Sequence, residues 1–219
     1  VDVEHRTAGR FHRAADAVLG AVLVDQAADG TTRGVVHARD TTGADGHELL
    51  LGLRRRHGRH EGRGGNDTID GRGGFDIARY DFAPTTTGIN VNLATSTAGD
   101  GQGGTDKLYN VEGVYGTGFA DTLVGDAANN RLEGRGGNDS ISGGLGSDTL
   151  LGGSGNDTLD GGDGVDAAGF QYAYNEYAIT RVNDTDLRLV RGSDTTILRN
   201  VEYLGFSSGA DVRTLQDIL

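Results

Sequence analysis

Along residues 116–169 an aliphatic residue stands at every ninth position: Leu123, Leu132, Ile141, Leu150, Leu159 and Ala168. Two places before each lies an acid or its amide, Asp121, Asn130, Asp139, Asp148, Asp157 and Asp166, and a glycine opens every unit. The units read GTGFADTLV, GDAANNRLE, GRGGNDSIS, GGLGSDTLL, GGSGNDTLD and GGDGVDAAG. Glycines at the first, second and fourth places permit tight turns with positive φ, and the Thr-Leu or Ser-Ile pair after the acid prefers extended backbone. Each unit is therefore expected to be a six-residue turn followed by a three-residue strand with its central residue pointing inward.

Two units make a coil of eighteen residues, and one coil alone has nothing to bury its apolar row against. Coils must stack. Stacking sets Asp121, Asp139 and Asp157 along one edge and Asn130, Asp148 and Asp166 along the other. Carboxylates repeated at strand spacing, roughly 4.8 Å, repel one another unless a cation lies between them. All-oxygen donors in a flexible turn suit calcium, which accepts six to eight oxygens, better than magnesium, which demands a strict octahedron and keeps its water.

The strings GGLGSDTLL and GGSGNDTLD resemble the GGxGxDxUx nonapeptide of the RTX, or haemolysin-type calcium-binding, repeat. The resemblance implies an all-β fold, a parallel β-roll or β-helix solenoid that is disordered without calcium, folds on binding several Ca2+ ions, and occurs in proteins exported by bacterial type I secretion. Carried over by position, the ligands are the sixth-place side chains together with turn carbonyls such as those of Gly134, Gly136, Gly143, Leu145, Gly152 and Ser154. Two units depart from the pattern: one has Asn130 in place of the acid, the other has Phe119 where glycine is usual.

The same pattern occupies 61–84, in GRGGNDTID and GRGGFDIAR, where Asp67 and Asp76 stand sixth and join the candidate ligands. Pro84 ends that block, because proline cannot donate to a ladder. Residues 85–115 are expected to form an inter-block coil that continues the roll. In it Ile89-Asn90-Val91-Asn92-Leu93 alternates as a half-buried strand does. The string Leu108-Tyr109-Asn110-Val111-Glu112 is echoed by Leu198-Arg199-Asn200-Val201-Glu202, and both resemble coils that adjoin RTX blocks. Residues 170–219, with alternating strands weighted by Tyr172, Tyr174 and Tyr177, read as the atypical terminal unit that an open-ended array requires. Residues 1–60 form an irregular segment; Ala14–Val24 fits a short helix or a strand, and Gly43–Leu51 reads as a decayed nonapeptide with Glu48 in the acid's place.

Thirty-nine glycines, one proline and no tryptophan leave little for a large conventional core, so bound metal is the available source of stability. The net charge is −12. Residues 1–60 hold nine arginines against eight acids, whereas 61–219 hold eleven bases against twenty-four acids. That surface disfavours nucleic acid and favours divalent cations. The absence of cysteine excludes disulfides and zinc thiolate sites, and no apolar run reaches the length of a membrane span. Residues 1–30 show no signal-peptide pattern, which places any export address elsewhere. Asp217-Ile218-Leu219 resembles the acidic-then-apolar ending of some type I export signals.

Gly205-Phe206-Ser207-Ser208-Gly209 satisfies G-x-S-x-G, yet no histidine follows His60, so the order Ser then His of the hydrolases is missing. His57-Gly58-Arg59-His60 lacks the glutamate of H-E-x-x-H. The expected function is calcium binding by a non-catalytic secreted module. The alternatives are the C-terminal part of a secreted hydrolase or protease with its catalytic domain upstream, and a calcium-dependent surface-layer protein. Beyond calcium, the partner expected is a type I secretion machinery.

Overall fold

The nine-residue interval in the sequence becomes an eighteen-residue ladder in space. The computed structural model describes residues 19–23, 36–40, 48–51, 59–61, 64–81, 85–183, 185–207 and 211–218. Successive units of the main block alternate between two sheets. Thr122–Val124, Ser140–Gly146 and Asn156–Gly164 pair in parallel in one, with Leu123, Ile141 and Leu159 in register. Arg131–Gly136, Thr149–Ser154 and Ala167–Gly169 do so in the other, aligning Leu132, Leu150 and Ala168. The two columns face each other and are buried throughout. The fold is an all-β parallel β-roll.

The four inner strands of this block outrun the expected three residues, while Thr122–Val124 and Ala167–Gly169 keep to it. Pairing continues into the turns, with Arg135 opposite Gly153, Gly144 opposite Gly162 and Leu145 opposite Asp163. Identical turns stacked in register offer their amides and carbonyls to one another just as strands do. The geometry requires left-handed backbone at Gly144, Gly153 and Gly162, with φ of 105°, 107° and 94°. An added Cβ on Gly153 would lie 2.0 Å from the Arg135 carbonyl oxygen, so glycine is needed there for conformation and for space alike.

Residues 85–115 add something that a purely parallel roll lacks. In the second sheet Ile77–Arg79, Gly113–Tyr115 and Arg131–Gly136 follow one another directly. In the first, Thr105–Tyr109, Thr97–Gly99 and Asn90–Asn92 intervene between Thr68–Asp70 and Thr122–Val124, and these three pair antiparallel as a meander. The alternation of 89–93 appears as buried Ile89, Val91 and Leu93. Ser96, at φ 57°, makes the turn back.

At the C-terminal end both sheets leave the parallel pattern. Asp194–Arg199 continues the first sheet in parallel and is then covered by antiparallel Asp186–Arg191 and Ala178–Arg181. Tyr203–Phe206 extends the second and turns back through Asp211–Thr214. Phe206 is fully buried, its ring stacked on Phe170 at 5.3 Å and met edge-on by Tyr174, so aromatic rings close the end of the apolar column. The segment read above against G-x-S-x-G thus contributes Phe206 to packing. Toward the N-terminus Glu48–Leu51 pairs with Thr68–Asp70 and sets Leu50 opposite Ile69, the register of two eighth-place residues. Of Ala14–Val24, Leu19–Leu23 is strand, and the remainder lies outside the described residues. Other strand backbone before residue 62 is Val36–Asp40 and Arg59–Glu61.

Candidate metal centre

In each unit the sixth residue ends the turn and enters the strand, where its side chain folds back under the opening glycine. Asp139, Asp148, Asp157 and Asp166 are each no more than 2% exposed. One carboxylate oxygen of each spans two coils. Asp139 Oδ1 accepts the Asp121 amide at 2.9 Å, Asp157 Oδ1 that of Asp139 at 3.0 Å, Asp148 Oδ1 that of Asn130 at 2.7 Å and Asp166 Oδ1 that of Asp148 at 2.7 Å. The other oxygen, Oδ2, is buried at all four and has no hydrogen-bond donor in the protein. Each Oδ2 sits where the Cβ of its own unit's first residue would project: 2.1 Å away for Gly134, 2.2 Å for Gly143 and for Gly152, and 2.6 Å for Gly161. Positive φ falls at the second and fourth places and not at the first, so the opening glycine is a requirement of the carboxylate pocket and not of left-handed backbone.

A buried carboxylate oxygen without a donor is costly, on the order of 1–3 kcal/mol or more. The titration behaviour reflects that. Burial pushes Asp139 up to about 7, opposed by the Asp121 amide and assisted by the charges of Asp121 and Asp157. Asp148 rises to about 6, chiefly by burial, with Asp166 and Asp126 adding repulsion. Asp157 and Asp166 are raised for the same leading reason. The rows lack positive charge where they most need it.

Among the other candidate ligands, Asp121 and Asn130 are placed differently. Asp121 lies in the same row but is fully satisfied: Thr117 donates its amide (2.6 Å) and its hydroxyl (2.9 Å), and Ile89 donates its amide (2.8 Å). Asn130 accepts the Asp126 amide and donates to the Glu112 carbonyl. Asp67 and Asp76 are buried, and the next acids along their ladders are Asp106, whose Oδ1 accepts the Asp67 amide, and Glu112, whose Oε2 accepts the Asp76 amide. Among the turn carbonyls, that of Gly134 faces the first residue of the preceding coil, Gly116, and that of Gly143 faces Gly125. The Ser154 carbonyl accepts the Gly137 amide. Gly136 stands in register with Ser154 and Leu145 with Asp163, while Gly152 lies beneath Asp157.

Several residues of the ladder were not apparent from the nonapeptide pattern. Glu202 Oε2 accepts the Asp166 amide at 2.7 Å, as Glu112 does for Asp76. Both glutamates belong to the Asn-Val-Glu strings, and the strings are built alike. Asn110 and Asn200 take φ of 52° and 47°. Their side-chain amides donate to Asp70 and Asp160, and Val111 and Val201 are buried. Each string thus ends a block by substituting a longer acid for the next aspartate. The repetition of the string was the available signal. Asp100 and Asp106, also buried, had none.

A family model for the RTX calcium-binding nonapeptide repeat matches four copies, in residues 61–78, 115–150 and 142–167. The chain carries RTX calcium-binding repeats. These repeats bind Ca2+, and the donors present fit that ion: every polar atom offered is oxygen, and the buried Oδ2 atoms lack a positive partner. Among the described residues no three acidic or histidine side chains converge on one point, so carboxylates and turn carbonyls together would hold each ion. Among solved structures, the chain is similar to the extracellular lipase LipA from Serratia marcescens, with 20% identity and a TM-score of 0.22, over 73% of this chain and 37% of that one. No curated protein matches the sequence. No helix among the described residues is long and apolar enough to cross a membrane.

The glycine pocket of the RTX units makes a sharp expectation. Gly152→Ala sets a methyl against Asp157 Oδ2, and it is expected to weaken calcium binding at least about tenfold, equivalent to about 1.4 kcal/mol, in a calorimetric titration. An unchanged isotherm would show that Oδ2 does not need that space.

Proposed function

We propose that this chain is a calcium-folded module of a secreted protein, whose RTX stack assembles when it meets extracellular calcium. The observation that carries the reading is the row of buried Asp139, Asp148, Asp157 and Asp166 oxygens with no donor in the protein. Without a cation the rows repel and the coils have reason to separate. With one, the same carboxylates cross-link successive coils, and binding free energy becomes folding free energy. Sites weaker than about 10⁻⁴ M suffice at extracellular calcium concentrations and stay empty in a calcium-poor cytosol. This suits a chain that must remain threadable during type I export, the route typical of RTX proteins. The repeats themselves are a non-catalytic binding module, and the function proposed is metal-coupled folding.

The test is far-ultraviolet circular dichroism of the full chain in millimolar calcium and in excess EGTA. The expected result is a strong β signal in calcium that largely disappears in EGTA and returns on adding the metal. A spectrum indifferent to chelation would refute metal-driven folding.

A further inference from the structure

The buried acids of the roll fall into two groups according to what occupies their oxygens. From Asp139 onward every sixth-place Asp leaves Oδ2 without a donor. Within residues 85–124 the chain supplies donors of its own to Asp100, Asp106 and Asp121. Asp100 Oδ1 accepts the amides of Gln102 and Gly104, both at 2.8 Å, and its Oδ2 accepts that of Gly65. Asp106 Oδ1 accepts the Asp67 amide, and its Oδ2 accepts the hydroxyl of fully buried Tyr80 at 2.9 Å. Asp121 is held by both donors of Thr117 and by Ile89. The Tyr80 hydroxyl at Asp106 and the Thr117 amide at Asp121 occupy the Oδ2 that stays open in Asp139, Asp148, Asp157 and Asp166.

The two regions also differ in how they can form. Residues 85–124 contain the meander Asn90–Asn92, Thr97–Gly99 and Thr105–Tyr109, extended by Thr122–Val124. Its apolar residues Ile89, Val91, Leu93, Ala98, Leu108 and Leu123 are all buried. Antiparallel neighbours a few residues apart close small loops, which costs less entropy than parallel pairing across eighteen residues. The charge load differs in the same sense: four acids against one lysine in 85–124, but eight acids against two arginines in 125–169.

We infer that residues 85–124, pinned by Tyr80, form a calcium-independent nucleus, and that the metal-requiring stack of residues 131–169 assembles on its edge. This rests on the calcium reading above for 131–169 and adds that the chelated chain keeps a folded part. The Thr122–Val124 edge presents the amides and the Leu123 register onto which Ser140–Gly146 pairs. The first calcium-dependent coil therefore has a template from which to grow.

Hydrogen–deuterium exchange of the full chain in calcium and in excess EGTA tests this. In EGTA, peptides within 85–124 are expected to keep most of their protection, while peptides within 131–169 lose about a hundredfold or more. Tyr80→Phe removes only the hydroxyl on Asp106 and is expected to lower the EGTA-state protection of 89–108 about tenfold. Asp139→Asn should leave that protection as it was. Loss of protection from both segments alike would overturn the nucleus and leave calcium-driven folding of the stack intact. Protection of 131–169 that survives EGTA would instead sink the calcium reading and this inference together. A Tyr80→Phe chain indistinguishable from the parent in EGTA would show that the hydroxyl does not hold the segment.

Discussion

Asp139→Asn is expected to have effects of opposite sign with and without calcium. The parent carboxylate is buried, raised to about 7 chiefly by that burial, and flanked by the charges of Asp121 and Asp157. An asparagine keeps the Oδ1 that accepts the Asp121 amide and removes the charge. In EGTA the change should favour the stacked state by on the order of 1–3 kcal/mol, visible as a larger residual β signal by circular dichroism. In calcium it deletes a carboxylate proposed as a ligand, and the apparent affinity should fall at least about tenfold, or about 1.4 kcal/mol, in calorimetry. The chain already contains this experiment at Asn130, which makes both of its hydrogen bonds within the protein. Equal affinity in parent and variant would remove Asp139 from the ligand set.

Leu150→Ala is expected to be the most damaging single truncation in saturating calcium. Leu150 is fully buried and stands in its column between Leu132 and Ala168. One neighbour is already alanine, and the ladder on either side is held in register, so little can move in to fill the gap. A loss of about 2–5 kcal/mol is expected, measured by urea denaturation at fixed calcium. Leu151→Ala, one residue along on the opposite face of the same strand, should cost less than about 1 kcal/mol. If the two variants unfold together, the inward column is not where the stability of the calcium-bound stack resides.

The reach of sequence reasoning follows from the reach of the interactions involved. The column from Leu123 to Ala168 and the two rows of acids depend on local chemistry repeated at a constant interval. Once each unit turns and extends in the same way, its neighbour two units on must fall beside it, whatever the rest of the chain does. The inner strands came out longer than the expected three residues because turns in register can bond to turns, a property of the stack that no single unit displays.

Other partnerships skipped a coil or broke the interval. Asp76 meets Glu112 thirty-six residues on, and Asp166 meets Glu202 at the same separation. Asp67 meets Asp106 at thirty-nine. An extra stretch of chain intervenes in each case, and its length does not reveal which acid returns to the ladder. That Tyr80 reaches Asp106 depends on where the meander of 85–115 sits against the roll, whereas Thr117 closes off Asp121 from within the same turn, four residues away.

By itself, then, the sequence determined the roll, its apolar columns and its affinity for a hard divalent cation, because those arise from a periodic pattern that reads the same locally and globally. Only the tertiary structure decided which acids keep an open oxygen and which are answered by a hydroxyl or an amide from elsewhere in the chain. That division depends on contacts between residues with no fixed spacing, and such contacts exist only once the coils are stacked.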